Sequence, residues 1–297
     1  MFFPNQTNHA MNDFSEPNFE AIRDCLQNAQ AVLIGAGAGL SAAAGLLYAD
    51  LDLYQRLFPG YHERYGLTGV YEGGFYPWPS EEEQLAYWAR HIHAMRFQFP
   101  LGKPYVDLLR IVREHDYFVF TTNVDGQFHK AGFDIQKLAT PQGDYGLFQC
   151  SHPCHDTVYP NQELVQELCA SMPDGVFALR PEQVPRCPRC GAVMEPNIRK
   201  SASYIETHWQ PQMQALQDFL QRTQGLRRVF LEIGVGFNTP GIIRYPFERM
   251  TLADEQTTLI RINAQSTACS PALQGSARYI GYEGDAGTLL ASLSSGK

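Results

Sequence analysis

The run QAVLIGAGAGLSAAAGLL, Gln30 to Leu47, constrains this chain more than any other stretch. A short apolar segment, Ala31 to Ile34, leads into Gly35, Gly37 and Gly39, and an alanine-rich stretch able to start a helix follows. Glycines at the end of a strand allow a tight turn and let a pyrophosphate approach a helix N-terminus, where free N–H groups and the helix dipole favour anions. The same residues also suit a plain strand-to-helix turn. No acidic residue in a clear second-strand context completes the ordinary dinucleotide fingerprint.

Strand and helix patterns alternate along the rest of the chain, which predicts an α/β fold with a doubly wound parallel sheet. A helix is expected from Asn18 to Asn28, and another from Ser80, whose spacing to Glu83 is that of a capping box. PYVDLLRIVREH reads as a further helix, DYFVFTTN as a buried strand ending in polar residues, and IQKLAT as a short strand. Beyond residue 200, a mostly helical ASYIETHWQPQMQALQDFLQRTQ, the strand RRVFLEIGV, the helix PGIIRYPFERM and the strands TTLIRINA and RYIGY precede a last helix from Ala286. Two segments interrupt the alternation. Tyr48 to Trp78 is rich in Tyr and Phe, punctuated by Gly and Pro, and reads as an irregular cover. Cys150 to Arg199 turns to Cys, Pro and charged residues with little periodicity, as an inserted module would.

At 297 residues and 44% hydrophobic, the chain can bury one large α/β domain with a smaller module. A formal charge of -8 gives no net attraction for nucleic acid, and no basic run compensates. No stretch approaches the roughly 20 apolar residues of a membrane helix, and the N-terminus lacks a signal-peptide layout, so a cytoplasmic protein is expected. Seven cysteines, an odd number, agree with that setting.

Four of those cysteines form two pairs, Cys150/Cys154 (C-x3-C) and Cys187/Cys190 in CPRCG, at spacings that can close a tetrahedral zinc site. His152 and His155 compete as ligands, and a metal-free module stays open. Cys25, Cys169 and Cys269 are expected as buried small side chains. In TTNVDGQFHKAGF, Asn123 and Asp125 fall at the end of a predicted strand, where an amide and a carboxylate can face one pocket; Asn123 can equally cap the next helix, and Ser41 the helix after the glycine loop. Gln142, between Thr140-Pro141 and Gly143-Asp144, has turn chemistry.

In their order along the chain these motifs resemble the sirtuin family. The matches are GAGLSAAAG (37–45), TTNVDGQFHKAG, the two cysteine pairs, GVGFNTP (234–240), Ile262-Asn263 and GDAGTLL from Gly284, spread over residues 18 to 295. The resemblance implies a Rossmann-like NAD-binding part (18–47, 101–149 and 225–297), a helical and aromatic cofactor-loop part (48–100) and a zinc-ribbon module (150–200), with NAD in the cleft between the lobes. It implies cofactor contacts from Gly37, Ala38, Gly39, Ser41, Asn123, Asp125, Gly234, Gly236, Asn238, Asn263, Asp285 and Ala286, and structural zinc on Cys150, Cys154, Cys187 and Cys190.

The chain departs from the family's deacylases at three places. Gly45 is followed by LLYAD rather than Ile-Pro-Asp-Phe-Arg, so the Phe and Arg of the cofactor loop fall on Ala49 and Asp50. MEPNIRKSASY replaces the Phe-Gly-Glu peptide clamp. The catalytic His-Gly becomes Gln142-Gly143, and an amide has no useful basicity near neutral pH. Gln142, Arg199 after the second cysteine pair, and GVGFNTP are together similar to the class M, macrodomain-linked subgroup. That resemblance implies protein ADP-ribosyl transfer from NAD to a lipoyl-carrier protein, a macrodomain hydrolase as functional partner, and Asn123, Gln142 and Arg199 as catalytic residues. A deacylase or NAD glycohydrolase, and a non-catalytic NAD or ADP-ribose sensor, stay open as alternatives. Asn123 and Asp125 favour an enzyme over a sensor.

Overall fold

The computed structural model describes residues 16–237 and 239–296. Its strands are β1 (Ala31–Ala36), β2 (Asp116–Thr121), β3 (Leu138–Ala139), β4 (Gly143–Cys150), β5 (Tyr159–Pro160), β6 (Met194–Ile198), β7 (Arg228–Ile233), β8 (Thr257–Asn263) and β9 (Tyr279–Glu283). Six of them form one parallel sheet in the order β3-β2-β1-β7-β8-β9, and β5-β4-β6 form a small antiparallel sheet. The large sheet is doubly wound. Its order reverses between β1 and β7, and ligands bind such sheets outside the C-terminal ends of the strands at that reversal.

Alternation along the strands divides the core. Val32, Ile34, Val119, Leu231 and Ile260 face the helices Glu16–Asn28, Lys103–Val112 and Ala286–Ser295, while Leu33, Phe118, Phe230 and Leu259 face Gln210–Arg222 and Arg244–Ala253. β1 is buried on both faces and its sequence reads as a continuous apolar run; β7 is buried as completely although it carries Arg228 and Glu232.

A second lobe combines the two interruptions. Its aromatic core stacks Tyr54, Phe58, Tyr87 and Trp78, Tyr61 meets them edge-on, and Phe177 closes on Tyr61 with ring centroids 5.0 Å apart. The segment read as irregular contains three short helices, Leu51–Leu57, Tyr61–Tyr65 and Val70–Gly73. Asp50 caps the first by accepting from Leu53 N at 2.6 Å, and Gly60 and Gly66 bracket the second in left-handed conformations. A helix, Gln162–Ala170, also lies inside the cysteine module. The small sheet begins at Gly143, ahead of the first cysteine.

Two local expectations change. IQKLAT is mostly a 3-10 turn, Ile135–Lys137, because Asp134 bonds Gln136 N; only Leu138–Ala139 pair as an edge strand. Cys25, Cys169 and Cys269 are only partly buried, at the margins of the core clusters.

The glycine loops that end β1 and β7 touch backbone to backbone. A Cβ on Gly39 would lie 2.6 Å from Gly234 Cα, and one on Gly37 would lie 2.7 Å from Gly234 O. Gly234 itself has φ +62°, and its carbonyl accepts from Gly39 N at 2.9 Å. We expect Gly39→Ala to cost about 3 kcal/mol of stability, as forced backbone displacement in a packed core does. Urea denaturation measures this, and a loss under about 0.5 kcal/mol would show that the loops tolerate a Cβ.

Candidate active site and cysteine centre

A cavity of about 300 Å³ opens at the reversal of the large sheet. One end is lined by Gly37, Ala38, Val235, Gly236 and Thr239 from the two glycine loops; Asn123 and Val124 come from the end of β2, and Gln142, Ile198, Arg199 and Lys200 from the small sheet. Tyr71, Phe75, Trp88, His91 and Tyr145 close the other end. The cavity therefore brings together Asn123, Gln142 and Arg199, which lie far apart in the sequence.

Behind the glycine loop runs a buried hydrogen-bond network. Ser41 Oγ donates to Asp125 Oδ2 at 2.5 Å and lies 2.9 Å from Tyr105 Oη. Asn123 Nδ2 donates to Gly37 O at 3.0 Å and to Tyr105 Oη at 3.2 Å, and Asp125 Oδ1 accepts from Gln127 N at 3.0 Å. Neither Ser41 nor Asn123 is a helix cap: Gly37 and Gly126 hold those positions. Burial raises the Asp125 carboxyl, opposed by the Ser41 and Gln127 bonds, and burial raises the Tyr105 hydroxyl. Asp125 lines a smaller pocket beside Asn123 rather than the main cavity.

Gln142 does sit in a turn, closed by Gly143 N donating to Thr140 O at 2.9 Å. Gly143 has φ +101°, and a Cβ there would meet Asn197 O at 2.0 Å, so the turn is pressed onto β6. Arg199 N donates to Gln142 O at 3.0 Å and Arg199 Nε to Pro141 O at 3.3 Å. The Arg199 guanidinium also pairs with Glu206 and lies 4.8 Å over the Tyr204 ring. Beyond the turn, Asp144 takes a two-point contact from Arg96, at 2.7 and 3.1 Å. Arg96 belongs to a π-helical segment, His93–Gln98, and packs on Gly126.

Gly39, Ser41, Gly234 and Asn263, also implied by the resemblance, do not line this cavity. Asn263 Nδ2 donates to Val235 O at 3.0 Å, and Asp285 caps the last helix by accepting from Thr288 N at 2.7 Å, with Ala286 beginning that helix. Neither Asp285 nor Ala286 lines the cavity. Asn238 lies outside the described residues.

Sequence reasoning missed two features. His91 lines the cavity, is 1% exposed, and burial lowers its pKa to about 3, so it is neutral near pH 7. Under the glycine loop that ends β7, Arg261 binds Glu232 through two bonds of 2.7 and 2.9 Å and Glu248 through one of 2.8 Å, all buried, while Arg244 donates to Val235 O at 3.2 Å. Glu232 and Arg261 are register partners on β7 and β8, a pairing that the apolar pattern of the strands conceals.

The four paired cysteines converge, with their sulfurs within 4.8 Å of one another. Cys150 and Cys190 Sγ are 3.5 Å apart, and Cys154 and Cys187 Sγ 3.7 Å. Four thiolates about 2.3 Å from a tetrahedral zinc would be spaced by about 3.8 Å, so the donor set fits a structural zinc ion. His155 Nδ1 lies 3.0 Å from Cys154 Sγ, beside the sulfur cluster, while its Nε2 is 2.7 Å from Tyr159 Oη; His152 lies beside Ser151. In the second knuckle, Gly191 N donates to Cys187 O at 2.9 Å with Gly191 at φ +75°, which folds the chain back through both cysteines.

A glycine-looped Rossmann sheet, a crevice at its reversal, and a second lobe carrying a four-cysteine centre define the sirtuin class of NAD-using enzymes. No protein-family model matches the chain. The chain is 32% identical over 249 residues to a protein ADP-ribosyltransferase of Staphylococcus aureus, covering 83% of this chain and 78% of that protein. A Fusarium oxysporum protein named "probable bifunctional ADP-ribose hydrolase/ADP-ribosyltransferase" is 36% identical over 257 residues, which span 84% of this chain and 43% of that longer one. Among solved structures, a Sir2 enzyme bound to a propionylated peptide superposes with TM-score 0.58 at 16% identity (94% of this chain, 98% of that one). A Sir2 homologue in complex with NAD gives 0.56 at 14%, covering 93% of both chains. The chain belongs to the sirtuin-type protein ADP-ribosyltransferases, NAD-dependent enzymes.

Elemental analysis of the purified protein should find one zinc per chain, and Cys187→Ser should lose most of it together with several degrees of thermal stability. Metal well below stoichiometry in the unmodified protein would mean that the cysteine centre stands without it.

Proposed function

We propose that this enzyme transfers ADP-ribose from NAD to a lipoyl-carrier protein and releases nicotinamide, with Asn123, Gln142 and Arg199 as its catalytic residues. The observation that carries the reading is the cavity itself: it joins the glycine loops to Asn123 and to a glutamine at the position where the deacylases keep a basic histidine. NAD, when bound, supplies a glycosidic bond whose leaving group already carries positive charge. The protein therefore has mainly to position its substrates and stabilise the charge that develops at the ribose carbon.

Asn123, fixed by Gly37 O and Tyr105, offers its amide oxygen to the ribose or the incoming nucleophile. Asp125, held by Ser41 and Gln127, accepts from the nicotinamide carboxamide. Gln142 hydrogen-bonds ribose hydroxyls and takes no proton, because its amide is not a base. A carboxylate acceptor needs none taken, since it attacks in its ionised form. Arg199 holds such a carboxylate; Glu206 occupies its guanidinium in this structure and would be exchanged for the acceptor's own.

The three parts inferred from the sequence, cofactor sheet, aromatic loop part and cysteine module, keep these roles in the proposal. The hydrolase named within the Fusarium relative supports a mark that a macrodomain partner removes. Among the described residues no helix is long and apolar enough to cross a membrane, and a cytoplasmic setting would keep the cysteines reduced.

Incubation with labelled NAD and lipoylated carrier protein tests the reading. Label on the carrier is expected; free ADP-ribose alone would indicate a glycohydrolase, acyl-ADP-ribose a deacylase, and intact NAD a sensor. Gln142→Ala should lower kcat by about 100-fold while the Kd for NAD changes little. Unchanged transfer would remove Gln142 from the catalytic set. Gln142→His should gain no deacylase activity, because the peptide clamp is missing.

A further inference from the structure

One arginine spans the space between two walls of the site. Helix Glu81–Ile92 runs on into the π-helical segment His93–Gln98, where Phe99 N donates to Ala94 O, five residues back, at 2.9 Å. The wider π turn changes the direction of the side chains along it, and such turns are frequent at functional sites. Arg96 lies in this segment.

The Arg96 side chain is 14% exposed, and it meets Asp144, 8% exposed, through Nε at 2.7 Å and Nη2 at 3.1 Å. Asp144 follows directly on Gln142-Gly143, and its Oδ1 also accepts from Gly146 N at 2.6 Å. The fork therefore fixes one side of the Gln142 turn in both direction and plane.

The same guanidinium passes over Gly126, the residue between Asp125 and helix Gln127–Lys130. Gly126 has φ +70°, and a Cβ there would collide with Arg96 Cζ, so only glycine fits. Three further bonds tie this helix to the chain just after Arg96. Lys130 Nζ donates to Phe97 O at 3.1 Å and to Phe99 O at 2.6 Å, and Gln127 Nε2 donates to Pro100 O at 3.1 Å. Residues 93–100 consequently hold, at once, the loop that carries Asn123 and Asp125 and the turn that carries Gln142. A buried ion pair adds little net stability, so what this one supplies is register.

We propose that Arg96 is a positioning residue for the transfer reaction: through Asp144 and Gly126 it sets Gln142 against Asn123 and Asp125. This rests on the reading in which Gln142 acts at the ribose. Neither Arg96 nor Asp144 lines the main cavity, so replacing them removes no group from its wall.

Hydrogen exchange of the full-length protein, followed by NMR at the amides of Gly143, Tyr145 and Arg199, measures the brace without turnover. These amides donate to Thr140 O, Val124 O and Gln142 O, the bonds that close and flank the turn. Arg96→Met combined with Asp144→Asn removes both charges, keeps an acceptor for Gly146 N and leaves no lone buried carboxylate. The combination should speed exchange at the three amides by about tenfold while the β1 amides keep their rates. Arg96→Lys, which keeps the charge but loses the fork, should give a smaller increase. With labelled NAD and lipoylated carrier protein, the combination should lower kcat by up to about 100-fold with little change in the KM for NAD, as misplacing an orienting group does. Added to Gln142→Ala, it should lower kcat no further, because Arg96 acts through that residue. Unchanged exchange at the three amides, exchange raised equally in β1, or a loss that multiplies with that of Gln142→Ala would each overturn the proposal. An unlabelled carrier with the unmodified protein would instead count against the transfer reading, and the exchange rates would still decide whether Arg96 braces the turn.

Discussion

Two backbone segments meet at atomic contact where β1 and β7 end, and the site is built outward from that contact. Gly37 and Gly39 lie against Gly234, so closely that any Cβ would collide with main chain. The glycines are thus required first by the protein's own packing, and their openness to a ligand follows from it. Because the loops are fixed to each other, the crevice at the sheet's reversal has a rigid floor. Arg261, Glu232 and Glu248 reinforce that floor from below, and Arg244 ties it to Val235 O. A buried ion cluster of this kind gives less stability than its geometry suggests, but it admits few alternative arrangements of the loop above.

From this floor one network reaches the groups that would act on NAD. Gly37 O orients Asn123, Asn123 bonds Tyr105, and Tyr105 bonds Ser41, which holds Asp125. Ser41 and Gln127 N hold the Asp125 carboxyl at two points, so it is fixed in position despite its burial. The opposite wall has its own fixings. Arg96 clamps Asp144 and packs on Gly126, and the Gln142 turn is pressed between β6 and Arg199. Both walls depend on side chains from helices that sequence periodicity places well but does not orient.

That distinction explains what could be read from the sequence. The parallel sheet, the glycine loop, the two cysteine pairs and the polar end of β2 carry local signals, in period, spacing or residue type, and each is found at its expected place. The aromatic segment after Tyr48 was legible only as a cover, because its helices are short and their stability comes from ring packing with Phe177, distant in sequence. Ser41 and Asn123 look like caps locally; their partners lie 84 and 86 residues away along the chain. His91 gives no signal at all. On an amphipathic helix it resembles any core histidine, and only the third dimension puts it on the cavity wall.

Gln142, at the position where the resemblance sets the deacylases' histidine, has a structural context. Gln142 lines the cavity on a turn closed by its own backbone and bonded by Arg199, and its amide can hydrogen-bond there but not act as a base. Among the described residues, His91 is the histidine on the cavity wall, buried among aromatic rings and held neutral by that burial. Among the described residues, the cavity therefore contains hydrogen-bonding groups and a guanidinium at its margin, but no histidine that is charged near pH 7. Such a site suits a nucleophile that arrives already ionised, and its selectivity must come from where the acceptor is held.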